Sequence, residues 1–125
     1  MRLAFICTEK LPVPAVRGGA IQILIDGIAP LIAKTHRLTV LSVAAPGLPA
    51  REIVRGVEHI RFPKTNYSYH ITKYLRANRQ TPFDVIHVFN RPAKIYLYKQ
   101  AAPGTRFVLS LHNEMFNVKK ISRVE

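Results

Sequence analysis

The sequence predicts an α/β domain of the Rossmann-like kind: three layers, with a mostly parallel sheet and helices on both faces. Three observations carry this. The apolar runs LAFIC (3–7), LTVLSV (38–43) and VIHVF (85–89) show no alternation, which suits strands buried on both faces. Helical segments of about ten to fifteen residues separate strands, the length of crossover connections. At 125 residues, with 48% of them hydrophobic, the chain is long enough for one packed core and too short for two.

The elements follow in order. After LAFIC comes a loop rich in proline and charge, EKLPVPAVRGG. Ile21, Leu24, Ile25, Ile28, Leu31 and Ile32 then recur at spacings of three and four, the apolar stripe of a helix lying on a sheet. Pro30 is expected to kink or loosen its last turn. LTVLSV is the second strand, and the prolines and glycine of APGLPA mark a loop. VEHIRF (57–62) alternates and reads as a strand nearer the sheet edge. Residues 67 to about 80 have helical character, VIHVF is a strand, 92–101 a short helix, PGT a turn and RFVLSL a final strand. The expected order is β-α-β-β-α-β-α-β, without internal repeats or low-complexity segments.

Composition narrows the function. Nineteen basic residues stand against seven acidic ones, a net charge of +12 that favours an anionic partner: phosphate esters, an acidic membrane, nucleic acid or an acidic neighbouring domain. One cysteine, Cys7, allows no disulfide framework or metal cluster; within LAFIC it reads as a buried, inert thiol, consistent with a reducing cytoplasm. MRLAFIC lacks the cleavage-like segment of a signal peptide. The apolar stretch AIQILIDGIAPLIA is broken by Gln22, Asp26 and Pro30 and falls short of the ~20 residues of a membrane span. The expected protein is therefore soluble or peripheral to a membrane.

In open parallel sheets, ligands bind beyond the carboxyl ends of the strands, where strand order reverses. That rule selects Thr8, Glu9 and the loop to Gly18 and Gly19 after the first strand, Asn90 and Arg91 after VIHVF, and His112, Asn113 and Glu114 after RFVLSL. Glycines at a helix start let backbone N–H groups approach a phosphate that the helix dipole also favours, and Arg17 could add a charge. The ordinary alternative for a glycine pair is a flexible turn. Neither G-x-x-x-x-G-K-[ST] nor G-x-G-x-x-G is present, and the second strand ends in VAAPG without an acidic residue for a ribose, which argues against a nicotinamide or flavin enzyme. His87 lies inside an apolar strand and reads as a core residue; His36, His59 and His70 lie in polar surroundings; His112 arrives at the ligand-binding edge. The segment 64–79 sets Lys64, Lys73, Arg76 and Arg79 among Tyr67, Tyr69 and Tyr74. Such interleaving serves anionic lipid headgroups or single-stranded nucleic acid, and equally a solvated helix with tyrosines packed inward.

With these motifs in place, ICTEKLPVPAVRGGAIQ, FDVIHVFNRP and RFVLSLHNEMF, the chain resembles the amino-terminal domain of retaining GT-B glycosyltransferases, glycosyl transferase group 1 or family 4. Within that group it is most similar to the spore-coat-associated glycosyltransferases of spore-forming bacteria, from Arg2 to about Lys120. The resemblance implies transfer of a sugar from a nucleoside-diphosphate sugar to an acceptor with retention, without a metal or a further cofactor. It places Gly18 and Gly19, with Arg17 beside them, against the donor diphosphate and acceptor, and His112 facing the transferred sugar as the catalytic residue. Asn90, Arg91, Asn113 and Glu114 would shape the acceptor site.

The resemblance also implies a second Rossmann-like domain that holds the donor through a Glu-x7-Glu motif. The 125 residues do not contain it, so they are expected to be one acceptor-side domain, inactive alone, cytoplasmic and peripheral to a membrane or spore coat. Its partners would be the nucleotide sugar, the acceptor, the donor domain and an anionic membrane surface met through 64–79, with nucleic acid ranked last. The alternative from another class is a non-catalytic spore-coat or carbohydrate- and anion-binding module that keeps the fold.

Overall fold

The computed structural model describes residues 1–13, 15 and 19–111, together with the backbone of 123 and 124. Its elements run β1 (Arg2–Ile6), α1 (Ala20–Ile32), β2 (Arg37–Val43), β3 (Arg51–Val54), β4 (Val57–Phe62), α2 (Tyr67–Ala77), β5 (Val85–Phe89), a turn of 3-10 helix (Pro92–Lys94), α3 (Ile95–Ala101), β6 (Arg106–Ser110) and β7 (Arg123–Val124). The seven strands form one sheet in the order β3-β4-β2-β1-β5-β6-β7. The neighbours from β4 through β6 are all parallel; β3 on β4 and β7 on β6 are antiparallel edges. The architecture is the expected α/β Rossmann-like one, with helices on both faces.

The apolar runs become the central strands because a parallel strand covered on both faces needs no polar side. Leu41, Val88 and Ile86 are fully buried, as is Ile6 at 2% exposure. On one face β-strand residues pack with Ile71 and Leu75 of α2 and with Tyr98 and Ala101 of α3. On the other, Phe5, Val40 and Val57 pack with Ile21, Ile25 and Ala29 of α1. Each fully buried Ile or Leu contributes about 2 kcal/mol.

The structure differs from the sequence reading in three ways. VEHIRF is not the edge strand: β3, absent from the expected order, pairs outside it, so Val57, His59, Ile60 and Arg61 are all buried. The short β3 alternates exposed and half-buried positions and includes Arg51 and Glu52, which gave no apolar signal. The stripe of α1 is also rotated: Ile21, Gln22, Ile25 and Ala29 are buried, while Leu24 and Leu31 are exposed. Gln22 is drawn inward because its amide Nε2 donates to the Leu11 carbonyl at 3.2 Å. Pro30 lies inside the last turn of α1, which ends at Ile32. Finally, β7 adds a second edge.

Candidate functional site

Strand order reverses between β1 and β5: β2 and β4 lie on one side of β1, β5 and β6 on the other. The connections leaving β1 and β5 turn in opposite directions, and a crevice opens between them at the carboxyl rim. Thr8 and Glu9 follow β1 there, and Asn90 and Arg91 follow β5.

Arg91 and Glu9 join across this crevice. The guanidinium Nε donates to both Glu9 oxygens at 3.1 Å and Nη2 donates to Oε2 at 2.9 Å, while Nη1 donates to the Asn90 carbonyl at 2.6 Å. Burial by itself raises the Glu9 pKa, but the Arg91 hydrogen bonds, a bond from Glu9's own backbone and the charges of Arg91 and Lys10 outweigh it and hold the carboxyl below its ordinary value. Asn90 has a left-handed φ of 52°, a conformation that asparagine accepts more readily than most residues. Its backbone N–H donates to the Ser110 carbonyl at 2.9 Å, which ties the end of β5 to the end of β6.

The loop from β1 to α1 is pinned from below. The Arg61 side chain is fully buried; its Nε and Nη2 donate to the Val13 carbonyl at 3.2 and 2.9 Å, and Nη1 donates to the Pro49 carbonyl at 2.8 Å and pairs with Glu52 at 2.7 Å. Asp26 accepts from the Ala15 N–H at 2.6 Å. Leu11, Val13 and Ala15 of the connection are thus held by Gln22, Arg61 and Asp26 respectively. Gly19 ends it at φ 92° and ψ 127°, a region open to little but glycine. A Cβ there would also meet the pinned Gln22 Oε1 and lie 2.8 Å from Leu11 Cδ1. On the far side, the buried Tyr67 hydroxyl donates to the Cys7 carbonyl at 2.8 Å and lies 3.3 Å from that of Leu41, which satisfies the rim of β1 and β2. Burial raises its pKa, so it stays a donor.

Of the residues selected from sequence, Gly19, Asn90 and Arg91 stand on this rim. Arg17, Gly18, His112, Asn113 and Glu114 lie outside the described residues. Cys7 is buried and its thiol pKa is raised, first by burial and then by Asp26. His87 is half-buried, with Nε2 2.5 Å from Ser110 Oγ and its ring stacked on Phe89. His59, polar by its sequence neighbours, is buried; desolvation and then the Arg61 charge lower its pKa. The strand-end rule selected both Glu9 and Arg91 but not their pairing, which joins residues 82 positions apart. Nothing local could have nominated Arg61, whose three partners come from other segments.

The rim continues into an open cleft of about 460 Å³ between α2 and the β5–α3 connection, lined by Glu9, Lys64, Tyr69, Arg76 and Lys94 among others.

Two curated relatives match the chain. It is 54% identical over 122 residues to the "Putative glycosyltransferase YtcC" of Bacillus subtilis (strain 168), covering 98% of this chain and 29% of that protein. It is 48% identical over 125 residues to the "Spore coat protein SA" of the same organism, covering 100% of this chain and 32% of that protein. The chain therefore spans about a third of the length of these relatives. No family model and no solved structure matches it.

Proposed function

We propose that these residues form the acceptor-side half of a retaining glycosyltransferase of the GT-B type, with the β1/β5 crevice facing a nucleoside-diphosphate sugar held by a second domain. The observation that carries the reading is the set of hydrogen bonds that hold Leu11, Val13 and Ala15 at the strand-order reversal, a few residues before α1 and its N-cap Gly19. Among the described residues, no side chain caps α1 and no acidic residue stands in its first turn, which suits an anion at its amino end. Departure of a nucleoside diphosphate builds negative charge, which preorganised N–H groups and the helix dipole stabilise where it forms.

In this reading Gly18, Gly19 and Arg17 wall the diphosphate, and His112 faces the transferred sugar. Asn90, Arg91, Asn113 and Glu114 shape the acceptor site. Arg91 sets that wall through its fork with Glu9, which leaves the crevice without a free carboxylate of Glu9 to repel the donor. The reaction needs no cofactor beyond the donor, and the 125 residues alone do not transfer sugar. The protein works in the cytoplasm, at a membrane or spore-coat surface.

The test is sugar transfer by the natural gene product that carries these residues. His112→Ala is expected to lower kcat by about 10² to 10³ at an unchanged melting temperature; turnover equal to wild type removes His112 from the site. A second reading, a coat module without catalysis, is favoured by the 48% identity to a protein named for the spore coat. It predicts that the same gene product neither hydrolyses nor transfers from any nucleotide sugar while still assembling into coats.

A further inference from the structure

We infer that the cleft between α2 and the β5–α3 connection is a binding site for a phosphate ester carried by the acceptor; this rests on the glycosyltransferase reading for the word acceptor, and on the cleft alone for the phosphate. Lys64 comes from the β4–α2 connection, Arg76 from α2 and Lys94 from the 3-10 turn after β5, and all three line one concavity of about 460 Å³. Lys94, from the connection after β5, thus joins two cations of the 64–79 segment at one hollow beside the crevice.

Among the described residues, none of the three has an ion-pair partner; the pairs present are Arg51 with Glu58, Arg61 with Glu52 and Arg91 with Glu9. Glu9 is the one carboxylate lining the cleft, and Arg91 already occupies both of its oxygens. The concavity therefore holds an uncompensated positive charge, and like charges around a hollow with low-dielectric walls repel until an anion enters.

A phosphate ester fits three cations because its unesterified oxygens, two on a diester and three on a monoester, carry the negative charge and accept several charge-assisted hydrogen bonds at once. Tyr69, 58% exposed on the same α2 face as Arg76, gives the mouth an apolar and aromatic edge suited to the organic part of the ester. Glu9 belongs to both the crevice and the cleft, so the bound ester would lie next to the reaction centre.

The test uses the natural gene product and a Lys64→Gln/Lys94→Gln variant, with unchanged melting temperature as the control for folding. Arg76→Gln is a second variant that alters only an exposed α2 position. The probes are sn-glycerol 3-phosphate in solution, followed by calorimetry, and vesicles of phosphatidylglycerol with phosphatidylcholine vesicles as reference, followed by sedimentation. Saturable binding weakened at least about tenfold in the double variant and severalfold in Arg76→Gln supports the site. Binding of the soluble ester identifies a free phosphate source, and binding only to phosphatidylglycerol vesicles a lipid headgroup. Equal affinity in wild type and variants, or no binding of either probe, overturns the inference. Sugar transfer that persists without phosphate binding sinks the inference and spares the enzyme reading, whereas phosphate binding without transfer does the reverse.

Discussion

The two faces of the sheet are built on different principles. The α2/α3 face is an apolar core in which Leu41, Ile71, Leu75, Ile86 and Val88 interdigitate, with the hydroxyls of Tyr67 and Tyr98 reaching polar partners at its rim. The α1 face is smaller, and its buried Arg61 and Gln22 donate to the Val13 and Leu11 carbonyls of the β1–α1 connection. An apolar core holds a sheet together without regard to direction, whereas buried hydrogen bonds fix where a particular loop must run. The α2/α3 side buries hydroxyls too, those of Thr72, Thr105 and Tyr67, but the donors that reach Leu11 and Val13 of the β1–α1 connection stand on the α1 face.

If the comparison is right, the faces should break differently. The largest effect is expected for Arg61→Ala, about 4 kcal/mol, since it strands Glu52 and the Val13 and Pro49 carbonyls; urea unfolding measures it. Limited proteolysis should then cut within residues 8–19 before the rest of the domain. Leu75→Ala on the other face should cost about 3 kcal/mol and leave that loop as resistant as in wild type. Equal loop sensitivity in both variants would erase the distinction between the faces.

Gly19→Ala is next, at about 2 kcal/mol, because φ 92° disfavours any side chain and the new Cβ displaces the Gln22 clamp. Gln22→Ala should lose the clamp without the backbone strain and so destabilise less.

A smaller effect depends on pH. His59 has a pKa below its ordinary 6.5 because burial disfavours the imidazolium. The folded state therefore binds the proton less readily than the unfolded chain, and the stability from neutral His59 is complete above pH 6.5 and lost as pH falls through the lowered value. His59→Gln should flatten that part of the profile, as read from unfolding between pH 7 and 5.

The smallest effect is expected for Glu9→Gln at the rim, below about 1 kcal/mol, since its ion pair is partly exposed and salt screens it. Its lowered pKa has the same sign: the contribution is present above the ordinary carboxylate range and lost as pH falls through the folded value. A cost that ignores both salt and pH would show that Arg91 is held by packing instead.

Much of the fold was legible because periodicity is local. LAFIC, LTVLSV and VIHVF became β1, β2 and β5 nearly as read, and the strand-end rule brought Asn90 and Arg91 to the reversal point. The alternation of VEHIRF misled because another strand, short and charged, covers its edge. The stripe on α1 misled because hydrophobicity alone placed Leu24 and Leu31 inside, while a hydrogen bond pulled Gln22 in. Glu9 was seen as a strand-end residue, yet its partner lies 82 positions away.

The sequence by itself determined the α/β class, the parallel core strands, the basic balance and the position of the glycine loop, because each depends on the pattern of neighbouring residues or on a sum over the chain. Only the tertiary structure decided that Arg61 holds Val13, that Glu9 and Arg91 bridge the crevice, and that Lys94 joins Lys64 and Arg76 at one hollow. Those are distances between segments remote in the chain, set by strand order and register, and no local pattern encodes them.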